Sequence, residues 1–271
     1  MNALFSVKDK VIVLTGATGV LGKVMATSLA QAGARVGILG RSENKVAGFV
    51  RELKDKGLQA FALVADVLDE VSLAAARESV AQQWGKLDVL VNVAGGNMPG
   101  ATIRPDQSIM DLSTTDVKKV MELNYLGTVL PTQAFLPLML QNKKGHIINI
   151  SSVSAQKPLT RVMGYSAAKA AIDNYTQWLA IELARKHGSG FRVNAITPGF
   201  FLTEQNRALL TNSDGSLTDR GKTIKEHTPM ARFGEPDDLT GTLLWLCSDA
   251  SRFVTGICVP VDGGFSAFSG V

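Results

Sequence analysis

Tyr165 and Lys169 stand four residues apart in a segment of helical period, so one helix face carries both. A free tyrosine titrates at about 10 and is a poor base near neutrality. An adjacent ammonium stabilises the phenolate and lowers that pKa, which brings a proton donor and acceptor into working range. Ser152 lies thirteen residues upstream of Tyr165, just past a β-branched run whose carboxyl end would face a ligand crevice. Its hydroxyl suits a hydrogen bond to a carbonyl oxygen. The three types together suggest proton transfer at a polarised carbonyl. By itself, a Tyr-x-x-x-Lys pair is equally an exposed helix pair of modest stabilising effect.

A second group of residues suits a phosphate. Thr15-Gly16-Ala17-Thr18-Gly19-Val20-Leu21-Gly22 joins the first strand to the first helix. Glycines there permit positive φ and let backbone N–H groups approach a pyrophosphate at a helix N-terminus. Gly16, Thr18, Gly19, Val20 and Leu21 are the candidate contacts. The spacing is G-x-x-G-x-x-G and departs from the G-x-G-x-x-G fingerprint, so a tight ligand-free turn is the plain alternative. The second strand ends Leu39-Gly40-Arg41, with no acid to hold a ribose 2′-hydroxyl. Arg41 would instead pair with a 2′-phosphate, which favours NADP(H) and leaves NAD(H) possible. A solvated surface charge is the alternative for Arg41. Asp66 and Val67 follow the third strand; the carboxylate suits an adenine amine, or only a turn cap.

These groups meet only if the chain between them folds in layers. Val11 to Leu14 does not alternate and reads as a first strand buried on both faces. Further strands are expected at Arg35–Leu39, Phe61–Val64, Leu87–Val93, His146–Ile150, Arg192–Ile196 and Ile257–Val261. Helices are expected between them, including one from Asp116 through Leu140 and the longest from Tyr165 to His187. Such alternation predicts an α/β fold, a Rossmann-type doubly wound parallel β-sheet, in a single NAD(P)-binding catalytic domain over 1–271. Residues 197–235 are too long for an ordinary connection and read as a substrate lid.

Composition narrows the function classes. The chain has 271 residues, 45% of them hydrophobic and 19% charged, which provides an ample core and excludes disorder. The net charge of +4 is spread out, with no block of five basic residues, so no nucleic-acid arm is expected. Two cysteines, Cys247 and Cys258, make no disulfide framework and suit a cytoplasmic protein. The uncharged run from Val11 to Gly22 imitates a signal peptide but carries three glycines and no cleavage site. The uncharged span Asn124–Asn142 holds two prolines and polar residues, so no membrane helix is expected. His146, His187 and His227 lie far apart, without H-x-x-x-H or C-x-x-C, and no metal site is expected.

Taken in order, Thr15–Gly22, Asn92-Val93-Ala94-Gly95, Asn124 with Gly127, Ser152, Tyr165-x-x-x-Lys169 and Pro198-Gly199 resemble the short-chain dehydrogenase/reductase family over essentially the whole chain. The resemblance implies a nicotinamide cofactor and a catalytic tetrad of Asn124, Ser152, Tyr165 and Lys169. It makes Tyr165 the general acid/base and Ser152 the group that orients the carbonyl. It also implies that Lys169 binds the nicotinamide ribose and that Asn124 supports a water-linked proton path. Asn92, Ala94, Gly95, Pro198 and Gly199 join the cofactor contacts on the same ground. Val261–Gly264, the family's closing V-D-G-G, implies a subunit interface and a homotetramer. Two departures stand out: Val20 replaces a usual glycine, and Val93 replaces a usual asparagine.

The lid begins Pro198-Gly199-Phe200-Phe201-Leu202-Thr203-Glu204-Gln205-Asn206-Arg207. Phe200 and Phe201 would close over the nicotinamide and exclude water, while Gln205, Asn206 and Arg207 suit hydroxyls and a carboxylate. An amphipathic surface helix is the alternative for this stretch. The lid, His227–Met230 and Phe265–Gly270 resemble the D-mannonate oxidoreductase (fructuronate reductase) branch of the family. This implies hydride transfer to a small-molecule keto sugar acid. Gluconate 5-dehydrogenase and 3-ketoacyl reductase chemistry are alternatives within the family. A sugar-nucleotide epimerase lacks support, because the large C-terminal extension is missing. A non-catalytic dinucleotide-binding regulator is the alternative of another class.

Overall fold

The computed structural model describes residues 3–203 and 207–270. Seven strands pair in parallel: β1 (Val11–Thr15), β2 (Arg35–Gly40), β3 (Ala60–Val64), β4 (Val89–Asn92), β5 (Gly145–Ile150), β6 (Phe191–Pro198) and β7 (Cys258–Val261). Their order across the sheet is β3-β2-β1-β4-β5-β6-β7. All five residues of β1 are buried because helices cover both faces. Alternation within the strand divides the core. Ile12 and Leu14 pack with Met25, Leu29, Val36, Ile38 and Leu243 on one face. Val11 and Val13 pack with Leu73, Val80, Phe135, Ile147 and Leu179 on the other.

The first face is covered by α1 (Val20–Gln31), α2 (Glu43–Asp55) and α9 (Thr240–Cys247). The second carries α3 (Glu70–Trp84), α5 (Gly127–Gln141) and α6 (Met163–His187). Local chemistry sets several ends. Asp69 accepts from the N–H groups of Val71 and Ser72 at 3.1 and 3.3 Å, which starts α3. Gly85, at φ 68, closes it in the left-handed region.

The expected helix from Asp116 through Leu140 is divided. Helix α4 (Thr114–Met121) passes through a π-helical turn, Glu122–Leu126, before α5 resumes the α-helical ladder. Asn124 sits inside that turn. The long segment 197–235 is less irregular than its composition suggests. It contains α7 (Arg207–Leu210) and α8 (Asp219–Glu226), and a bridge between Phe201 and Gly234 returns it to its starting point.

The chain runs outward from β1 to β3, then crosses back to place β4 beside β1. The loops after β1 and β4 therefore diverge at the carboxyl edge of the sheet, where an open α/β sheet leaves a crevice.

Candidate active site

A cleft of about 600 Å³ opens at that crevice. Its wall includes Gly16, Thr18, Gly19, Val20, Leu21, Arg41 and Val67 from the first half of the chain. Ala94, Gly95, Ser152, Tyr165, Lys169, Pro198, Gly199 and Phe200 complete it from the second. Most of the sequence-predicted residues thus line one continuous surface.

Lys169, on α6, is almost fully buried and donates to the carbonyl oxygen of Ile150 at 2.7 Å. Its nitrogen lies 5.5 Å from the ring centroid of Tyr165, one turn earlier on the same helix. Burial pulls the Lys169 ammonium down to about 8, against the opposing pull of the Asp173 carboxylate. Burial raises the Tyr165 phenol above 10.0, and a hydrogen bond with Ser152 works in the opposite direction. The sequence predicts that Lys169 lowers the tyrosine's pKa; here desolvation outweighs any such effect. The Ser152 oxygen also accepts from the Ser154 N–H at 3.2 Å and the Ser154 hydroxyl at 3.1 Å. Ser152, Tyr165 and Lys169 are therefore one connected group, fixed by the end of β5 and the start of α6.

Asn124 contributes differently. Its side chain is fully buried and donates to the carbonyl oxygens of Gly96 and Val120 at 2.7 and 2.8 Å. Its oxygen accepts from the Gly96 N–H at 3.1 Å. The amide thus clamps the loop after β4 and does not line the cleft. Gly95 sits between Asn124 and Lys169: an added Cβ would lie 2.6 Å from Asn124 Oδ1 and 3.4 Å from Lys169 Nζ.

Asn92 also points away from the cleft. It donates to Thr132 Oγ1 at 3.1 Å and Asn149 Oδ1 at 2.9 Å, joining β4 to β5 and α5 beneath the loop. Asp66 accepts from the Leu68 N–H at 3.0 Å and stands 3.8 Å from Arg41, so its carboxylate caps its own turn beside the cleft. Arg207 opens α7 and is exposed, outside the residues that line the cleft. Gln205 and Asn206 lie outside the described residues.

Two contributors were not singled out from the sequence. Thr15 accepts at its hydroxyl from the N–H groups of Val93 and Ala94, both at 3.1 Å, and so ties β1 to the loop after β4. Its place at the head of the glycine loop was the available signal. Arg220, on α8, lines the cleft together with Tyr165 and Thr203. Nothing local in its segment signals this.

The phosphate loop fits a dinucleotide. Gly16 has φ 60, and a Cβ there would meet the backbone of Ala94 at 2.8 Å. Gly19 begins α1 without any side-chain cap, and the first turn carries no acid. The uncapped N–H groups and helix dipole face the cleft, as an anion requires.

A family model described as enoyl-(acyl carrier protein) reductase matches residues 16–266. A Bacillus subtilis (strain 168) protein named uncharacterized oxidoreductase UxuB is 47% identical over 97% of this chain and 96% of its own length. The chain belongs to the short-chain dehydrogenase/reductase family. The chain is also similar to a solved Haemophilus influenza protein described as a candidate D-mannonate oxidoreductase with bound NAD. The two are 42% identical, with a TM-score of 0.92 over 98% of both chains. A Burkholderia cenocepacia J2315 gluconate 5-dehydrogenase in complex with NADP and tartrate is 31% identical, at a TM-score of 0.86 over 98% of both chains. The reductase is accordingly an NAD(P)-dependent oxidoreductase acting on small molecules. Among its described residues, no helix is long and apolar enough to cross a membrane.

Proposed function

We propose that this reductase interconverts a keto sugar acid and its hydroxy acid, with D-fructuronate and D-mannonate as the pair. The single observation that supports the chemistry is the connected Ser152–Tyr165–Lys169 group on the wall shared with the glycine loop. The Tyr165 hydroxyl donates or accepts the proton at the substrate oxygen, and Ser152 hydrogen-bonds that oxygen. Lys169, anchored on Ile150, contributes positive charge beside the tyrosine and a donor for the cofactor ribose. A bound nicotinamide supplies the hydride. Asn124 holds the loop carrying Gly95 and Gly96, and through it the floor of the site. The choice of a sugar acid draws on the likeness to the candidate D-mannonate oxidoreductase.

NADP(H) is the preferred cofactor in this proposal. Arg41 follows β2 directly, is largely exposed at the cleft margin, and has only a 3.8 Å contact with Asp66 to compete with a 2′-phosphate. Residues 197–235 act as the substrate lid, with Phe200 on the cleft wall and its ring edge-to-face on Phe265 at 5.1 Å. The working assembly is a cytoplasmic homotetramer.

The test is a substrate panel. Purified protein is assayed with NADH and NADPH in parallel against fructuronate, tagaturonate, 5-ketogluconate and an acetoacetyl thioester. Fructuronate is expected to give the highest kcat/KM. Turnover of 5-ketogluconate alone would support the second reading, a gluconate 5-dehydrogenase, which the Burkholderia neighbour favours. Turnover of the thioester alone would overturn both.

A further inference from the structure

We propose that Arg220, with Arg161 beside it, forms the site that holds the substrate's carboxylate. The inference rests on the sugar-acid reading and names the groups that would recognise the acid end.

Arg220 lies in the first turn of α8, within the lid, and lines the same cleft as Ser152, Tyr165 and Thr203. Arg161 is set between Leu159 and Val162, both on the cleft wall, and precedes Tyr165 by four residues. Its turn is fixed in an unusual state. The backbone has φ 78, and the carbonyl oxygen accepts from the Ile103 N–H at 3.0 Å. A long side chain rarely adopts that left-handed conformation, and such strain concentrates at functional sites.

Both residues are half-buried. Burial and the positive charge of Arg161 both lower the pKa of Arg220, so the two cations repel each other. Among the described residues neither has a carboxylate within ion-pair distance, whereas Arg35, Arg41, Arg104 and Arg232 each do. A half-buried cation on the cleft wall with a second cation behind it, next to residues that line the cleft, is relieved by an anion bound in the cleft. The planar fork of arginine matches a carboxylate with two parallel bonds.

Position separates this pair from the cofactor's phosphates. Arg41 and the uncapped start of α1 serve the glycine-loop end, while Arg161 belongs to the segment that leads into Tyr165. Arg207, the guanidinium that the sequence favours for this role, is exposed and does not line the cleft. The lid supplies a cation from α8 instead.

The experiment compares a keto hexuronate with its methyl ester in steady-state assays of wild type, Arg220→Leu, Arg220→Lys and Arg161→Asn. Asparagine tolerates the left-handed backbone, so that variant keeps the turn. The acid-over-ester ratio of kcat/KM is expected to fall roughly 100-fold in Arg220→Leu and about tenfold in Arg161→Asn, through KM for the acid. Arg220→Lys restores part of the ratio, because a point charge replaces the fork. It also carries the test if the leucine variant does not fold. Cofactor titration by fluorescence accompanies each assay. A ratio within about twofold of wild type in the Arg220 variants overturns the inference and leaves the sugar-acid reading standing. A drop explained wholly by weaker cofactor binding places Arg220 on the cofactor and also overturns it. Wild type that turns over neither hexuronate nor ester overturns the sugar-acid reading itself, and this inference with it.

Discussion

The Lys169 ammonium is tied to the Ile150 carbonyl oxygen at 2.7 Å while facing the Tyr165 ring at 5.5 Å. One lysine therefore joins the end of β5 to Tyr165 on α6. Its burial lowers its titration from the ordinary 10.5 to about 8.

The stability of the cofactor-free protein is expected to depend on that shift. Between about 8 and the ordinary lysine value of 10.5, the unfolded chain keeps the Lys169 proton and the folded chain has released it. Stability from this group therefore rises with pH across that window and is lost as pH falls through 8. Denaturant melts of wild type and Lys169→Met from about pH 7.5 to about pH 11, sampled in about half-unit steps, should show the difference moving in favour of wild type, by on the order of 3 kcal/mol over the full window. A flat difference would show that Lys169 titrates normally.

Replacing Tyr165 with phenylalanine removes the proton donor and keeps the ring. Turnover is expected to fall on the order of 10³-fold, with cofactor affinity within about twofold of wild type. Retention of full activity would end the assigned role for Tyr165.

Arg41→Ala should weaken NADPH about tenfold or more and leave NADH nearly unchanged, since only the former carries a phosphate for the guanidinium. Dissociation constants for both cofactors decide this. Equal effects would remove the basis for preferring NADP(H).

Gly95→Ala puts a methyl group 2.6 Å from Asn124 Oδ1 and 3.4 Å from Lys169 Nζ. We expect a loss of about 1–3 kcal/mol in stability together with a fall in kcat, because the Asn124 amide must shift and the loop carrying Gly95 and Gly96 shifts with it. Gly48→Ala is the control: it lies within α2, and a Cβ there meets nothing within 4 Å. That variant should melt higher than wild type, by roughly 0.5–1 kcal/mol.

The elements that position the site were legible where packing is simple. Val11–Leu14 reads as a doubly covered strand because its residues do not alternate, and β1 is buried throughout. Asn124 entered through the family resemblance, and the structure places it as a clamp on the loop after β4; its π-helical turn was not legible. The apolar period runs unbroken from Asp116 to Leu140, and one wider turn leaves no mark on it. Arg220 was missed for another reason. Asp219-Arg220-Gly221-Lys222 has the composition of a solvated helix start, and only the return of the lid through the Phe201–Gly234 bridge brings it to the cleft. Arg207 was favoured because its guanidinium, at the start of the lid, suits a carboxylate, yet its helix leaves it exposed.

Thr15 has a consequence for how the protein comes apart. Its hydroxyl ties β1 to the loop after β4, across the line where the winding of the sheet reverses, between β3-β2-β1 on one side and β4 to β7 on the other. A dinucleotide touching Gly16 on one side and Gly95 on the other is a clasp across that line. Its binding energy adds to the cohesion of both halves at once, so the cofactor should raise the melting temperature of the whole sheet.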